Sequence, residues 1–197
     1  MRALFRALGG LGLVLCMAGV AMSQSNEGYS SERTYGGSRD EALWLTDAAA
    51  TRIAGQLKNA AKYCEWAPDD YVVDCLADQY TKIERSLPRT AAYKDVRRVI
   101  GGTGKALQGV ARKYSYGAKP VTIKRPPPGK FPTSATRALI PVPQAAQRRA
   151  VQAASRVVAE ASTLLLRSAE QSAARRAPFE KISAALGDST KVLLRSA

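Results

Sequence analysis

Apolar residues recur along this chain at the spacing of a helix face, and they do so in five separate stretches. In the first, Leu45, Ala49, Ile53 and Leu57 follow one another every fourth position, and Ala60, Ala61 and Cys64 extend the stripe. That period belongs to one face of a helix. Ser38-Arg39-Asp40-Glu41 stands ahead of it. A serine hydroxyl followed three residues later by a glutamate is the capping-box order, so the first helix is predicted to begin at Ser38.

The second stripe is Val72, Cys75, Leu76, Tyr80, Ile83 and Leu87, closed by Pro88. Its helix is predicted to start at Pro68, where proline suits a first turn and Asp69 and Asp70 suit the positive helix end. In the third, after Thr90, Tyr93, Ile100, Leu107 and Tyr114 recur every seven residues, with Val96, Thr103 and Val110 between them. This is a heptad-like seam. Gly101, Gly102, Gly104 and Gly109 interrupt it, each at a cost of about 1 kcal/mol relative to alanine, so a kink or a close helix crossing is expected near Gly102. The fourth helix is predicted from Gln144 to Arg175, with Val151, Val158 and Leu165 in one row and Val157 and Leu164 in a neighbouring one. The fifth is predicted to start at Pro178, with Phe179, Ile182, Leu186 and Leu193 as its stripe. No strand-like alternation exceeds Val121-Thr122-Ile123. Stripes this regular imply mutual packing, because no amphipathic helix buries its own face. The expected fold is all-α: a small bundle of four to five helices.

Between the third and fourth helices the pattern changes. Seven of the ten prolines fall within residues 117–143, together with Lys119, Lys124, Arg125, Lys130 and Arg137. Proline at that density excludes a packed helix. A long, extended, proline-rich basic connector outside the bundle is expected. Residues 24–37 are polar and glycine-rich and read as a flexible leader. The resulting division is a signal segment 1–23, the leader 24–37, a disulfide-linked helical part 38–116, the connector 117–143, and a C-terminal helical part 144–197.

The signal segment fixes the expected compartment. Arg2 and Arg6 precede an uncharged run from Ala7 to Met22, and Ala21 and Ser23 place small residues at −3 and −1 of a cleavage before Gln24. That is the layout of a secretory signal peptide. The run is shorter than the roughly 20 residues of a membrane-spanning helix, which weighs against its retention as an anchor. An exported protein, periplasmic or secreted, is expected. In such a compartment Cys64 and Cys75 read as a disulfide, and ten intervening residues do not make a redox C-x-x-C.

Composition narrows the chemistry. The chain has no His, and its three Met all lie within the signal segment. Imidazole metal sites, thioether copper sites and Ser-His or Cys-His nucleophile pairs are excluded from the exported part. No cofactor or metal is expected. Gly101-Gly102-Thr103-Gly104-Lys105 resembles a phosphate loop only in part: Val99 stands where the first glycine belongs, and Ala106 where Ser or Thr should bind magnesium. Asp70, Asp74 and Asp78 share a helix face at four-residue spacing, and the plainer reading of them is a solvated face near a helix start.

Charge carries most of the functional information. The chain has 30 Lys and Arg against 16 Asp and Glu, a net charge of +14. Residues 24–90 hold 11 acids and 8 bases, whereas residues 91–197 hold 5 acids and 20 bases. Between Asp95 and Glu160 there are 13 bases and no acid. This asymmetry points to an anionic partner. The candidate binding residues are Lys119, Lys124, Arg125, Lys130, Arg137, Arg148, Arg149 and Arg156. The partners expected are an anionic envelope surface, the membrane periphery included, or an acidic protein, a second copy of the chain among them. Nucleic acid is not expected, because the basic half lacks interleaved aromatics: beyond Gly117 only Phe131 and Phe179 remain. The charge split also predicts an internal contact, with Lys119 to Lys130 lying over the acidic face of the second helix as a reversible, salt-sensitive dock. The function expected is that of a non-enzymatic envelope protein that binds through its basic central segment. The competing class is a carboxylate-dependent hydrolase of an envelope polymer, using Asp74 and Glu84.

Overall fold

The structure, a computed structural model, describes residues 44–115, 117, 119–123, 135–170 and 172–197. The signal segment, the leader and the Ser38 capping box lie outside these residues. Within them the chain forms five α-helices: α1 (Asp47–Cys64), α2 (Val72–Ser86), α3 (Lys94–Tyr114), α4 (Gln144–Ala169) and α5 (Ala173–Arg195). Between α3 and α4 run two short antiparallel strands, β1 (Val121–Thr122) and β2 (Ala138–Leu139), with Val121 opposite Leu139.

The predicted stripes become the core. Leu45, Ile53, Leu57, Leu76, Tyr80, Ile100, Leu107, Val158, Leu165, Phe179, Ile182 and Leu186 are all buried in one cluster. The helices close a ring: α1 packs on α5, α5 on α4, α4 on α3, α3 on α2, and α2 back on α1. Helices α1 and α5 run in the same direction. Lys181 Nζ lies 2.6 Å from Asp47 Oδ1 at one end, and Arg195 pairs with Glu65 at the other. Helix α2 is buried on every side from Val72 to Tyr80, so its buried surface is not a stripe but the whole first half of the helix, Asp74, Asp78 and Gln79 included. There the Tyr80 hydroxyl donates to Ser189 Oγ at 2.7 Å, and burial pushes its pKa above the ordinary tyrosine range.

Four boundaries differ from expectation. Helix α1 is capped by Thr46, whose Oγ1 accepts from the Ala49 amide at 3.2 Å. It stays helical through Tyr63 to Cys64. The uneven cysteine spacing is absorbed afterwards, by a turn over Glu65–Ala67 and a 3-10 turn over Asp69–Tyr71. Cys75 therefore sits in the first turn of α2 and bonds Cys64 across a Cα–Cα distance of 5.8 Å. At the other end α4 stops at Ala169, and α5 begins at Ala173 with Pro178 inside it. The break carries neither glycine nor proline to announce it. Pro178 lacks the N–H that the Ala174 carbonyl would accept, a defect that the buried Phe179 and Ile182 beside it offset.

Finally, the connector is not wholly outside the bundle: Thr136, Leu139, Pro141 and Val142 are buried. Proline excludes helix there, but it does not exclude extended chain packed on a core.

The close helix crossing is real and lies two residues beyond the expected place. A Cβ on Gly104 would stand 3.2 Å from the Ala77 carbonyl oxygen and 3.3 Å from the Thr81 amide, both backbone atoms of α2. A Cβ on Gly102 would meet nothing within 4 Å. The two glycines should therefore respond oppositely to alanine. Gly102→Ala should gain up to about 1 kcal/mol from helix propensity. Gly104→Ala should lose about 1 kcal/mol net, because α2 backbone cannot give way. Urea unfolding of the pair checks this; equal shifts would mean that the crossing at Gly104 is loose.

Candidate functional site

Three acids of α2 and its approach were read as a solvated face. Asp74 is instead 0 % exposed and Asp78 is buried. The Arg137 guanidinium covers them. Its Nη1 and Nη2 donate to Asp74 Oδ2 at 2.7 Å and Oδ1 at 2.6 Å, and the Ile140 amide donates to Oδ2 at 2.8 Å. Asp78 lies 3.9 Å from Arg137 Nε. The hydrogen bond to Asp74 raises the Arg137 pKa above its ordinary value.

More backbone joins the contact. The Val142 amide donates to the Asp70 carbonyl at 2.7 Å, the Tyr71 hydroxyl to the Lys119 carbonyl at 3.4 Å, and Lys82 Nζ to the Ala135 carbonyl at 2.8 Å. The basic segment thus lies over the acidic face of α2, within one chain. Among the described residues the side chain that engages is Arg137, beyond the expected Lys119 to Lys130; Lys119 takes part through its backbone carbonyl. The contact is also buried at Asp74, where salt screens little, so it is a fixed part of the fold rather than a reversible dock.

This leaves Arg137 committed internally. Of the other candidate binding residues, Lys119 is exposed, and Lys124, Arg125 and Lys130 lie outside the described residues. Arg148, Arg149 and Arg156 are exposed along α4; Arg148 borders a hollow beside Asp69, Asp70 and Gln147.

One concave feature was not anticipated as a site: a groove of about 980 Å³ between α2 and α3. Lys82, Arg85 and Arg89 line one wall, Lys94, Arg97, Arg98 and Lys105 the other, and Arg137 closes an end. Eight cations thus face two carboxylates, Asp78 and Glu84. Asp78 pairs with Lys82 at 2.8 Å and Glu84 with Arg97, while Arg98 pairs with Asp95 at 3.0 Å. Arg85, Arg89, Lys94 and Lys105 are exposed and have no ion pair among the described residues. Like charges held this close on fixed helices create a positive potential that draws anions in.

The floor explains two glycines. Gly101 and Gly102 line the groove, and a Cβ on Gly101 would run into the Glu84 side chain at 2.9 Å. The Gly101–Lys105 segment is therefore no phosphate loop, yet Gly101, Gly102 and Lys105 do line a cationic groove. Helical spacing held the signal: Lys94, Arg97, Arg98, Gly101, Gly102 and Lys105 follow at three- and four-residue steps on one face of α3. Gly101 and Gly102 were read as breaks in an apolar seam, and the cations beside them were not read as a face of their own. The proposed hydrolytic pair does not meet here. Glu84 lines the groove, Asp74 does not, and each is held by an arginine.

The fold and the groove together define a class: a disulfide-linked five-helix bundle with a cationic cleft. No family model, curated protein or solved structure matches the chain.

Proposed function

We propose that this is an exported, non-enzymatic binding protein of the bacterial envelope that holds an anionic surface or polymer, and that the groove between α2 and α3 is its principal contact. The observation that carries the reading is the set of four exposed cations, Arg85, Arg89, Lys94 and Lys105, that share one concave surface and have no ion pair among the described residues. A protein that only needed solubility would have no reason to gather them in a cleft, where they repel one another. The buried disulfide supports an oxidising compartment. The N-terminal signal pattern supports export by the same route. The wider basic segment adds long-range attraction.

Two sets of substitutions separate the groove from the rest of the positive charge. Each Lys or Arg near an anionic surface contributes about 1 kcal/mol. The quadruple variant Arg85→Gln, Arg89→Gln, Lys94→Gln, Lys105→Gln should bind anionic vesicles at 50 mM salt about a hundredfold or more weaker than the parent. The triple variant Arg148→Gln, Arg149→Gln, Arg156→Gln should lose less than about tenfold. None of the seven positions is buried, so thermal unfolding should stay put. If the triple variant loses as much as the quadruple, the groove is not the contact and the charge acts as a diffuse surface.

A further inference from the structure

The groove does not end at α3. Arg98 and Gly102 also line a second trough, about 380 Å³, between α3 and α4. That trough is mainly apolar where the first is charged, with Thr103, Glu160 and Ser168 as its polar lining beside Arg98. Val99 and Ala161 form its buried floor, and Val157 and Leu164 stand along its α4 wall, Leu164 with 51 % of its surface exposed. The crest between trough and groove is Gly102. A Cβ there would meet nothing within 4 Å, so no packing requires glycine. A helix-interior glycine costs stability relative to alanine. Gly101, its neighbour, has a packing reason in the Glu84 side chain; Gly102 has none. What its missing side chain does provide is clearance from the cationic groove to the apolar trough. Arg98 and Lys105 stand about one turn to either side of that pass.

We infer that the ligand is an anionic phospholipid, its phosphate held in the groove between Arg98 and Lys105 and its acyl chain laid over Gly102 onto Val157 and Leu164. The inference rests on the groove being the anion site and names the kind of anion. A polymer of charges alone would use the groove and leave the trough bare. A lipid uses both, and covers the exposed Leu164.

The test compares two soluble probes at 50 mM salt by calorimetry: glycerol 3-phosphate, which is headgroup alone, and dihexanoyl phosphatidic acid below its micelle concentration. A long polyphosphate serves as a chain-free polyanion. The acylated probe should bind about tenfold or more tightly than glycerol phosphate, since each buried methylene adds about fourfold. Gly102→Leu should abolish that preference. Its thermal midpoint should not fall, because leucine is the better helix former at an open position. Leu164→Ser, at an exposed site, should likewise reduce the preference. Equal affinity of the parent protein for the two phosphate probes, with polyphosphate still bound, overturns the lipid assignment and leaves the groove as an anion site. An undiminished preference in Gly102→Leu overturns the route over α3. Failure of all three probes to bind overturns the groove itself.

Discussion

Arg137→Ala is expected to destabilise the protein by about 3 kcal/mol, a large fraction of the stability of a domain this size. Asp74 is wholly buried on the central helix, and its two oxygens receive three hydrogen bonds, two of them from Arg137. Removing the arginine leaves a carboxylate in the core with only the Ile140 amide for company. Breaking a buried pair from one side costs about 3–5 kcal/mol, and the partial exposure of Arg137 argues for the lower end. Arg137→Lys should recover only part of the loss, since one ammonium cannot replace a two-pronged fork. The double variant Arg137→Leu, Asp74→Leu should be closer to the parent than Arg137→Ala, because it removes the stranded charge as well as its partner. Urea unfolding followed by circular dichroism measures all three. A loss under about 1 kcal/mol in Arg137→Ala would mean that water reaches Asp74 as soon as the guanidinium is gone.

The second large effect belongs to the disulfide. Replacing Cys64 and Cys75 together by alanine should cost about 3 kcal/mol through the freed unfolded chain alone, for a loop this short. Both residues are fully buried, so the lost sulfur contacts add to that figure. The bond ties the end of α1 to the start of α2. Helix α1 otherwise leans mainly on α5. Reduction by dithiothreitol should therefore loosen α1 before the α2–α3 pair. Hydrogen exchange should show the α1 amides losing protection first on reduction. Uniform loss of protection across all five helices would mean that the bundle is a single cooperative unit in which the bond serves no one helix in particular.

The helical stripes were legible because burial on one face leaves a period in the sequence. Leu45, Ala49, Ile53 and Leu57 became core as their spacing indicated. What failed did so for definite reasons. Leu164 lies on the predicted second row of α4 but faces outward, because the row belongs to a trough rather than to a helix contact. Asp74 looked solvated because its polarity suggested water, whereas its actual solvent is Arg137, 63 residues along the chain. Periodicity reports distance along one helix and is silent about a partner so remote. The internal attraction between acidic and basic halves was visible in the charge count. Which cation makes it was not, since Lys119 and Arg137 are alike in charge and differ in geometry: only arginine offers the planar fork that a carboxylate accepts at two points. The groove was hidden for a related reason. Its cations come from both helices, and although those of α3 share one face, only the packing of α2 beside it turns that face into a groove.

The pairing of α1 with α5 has a bearing on how the chain is made. Synthesis runs from α1 to α5, so the apolar side of α1 leaves the ribosome long before its principal neighbour exists. Until residues 173–195 emerge, that side must stay bare or be held by something else. A chaperone that shields Ile53 and Leu57 would meet this need, and so would passage across a membrane as an unfolded thread, in which no helix is asked to pack before the last has arrived.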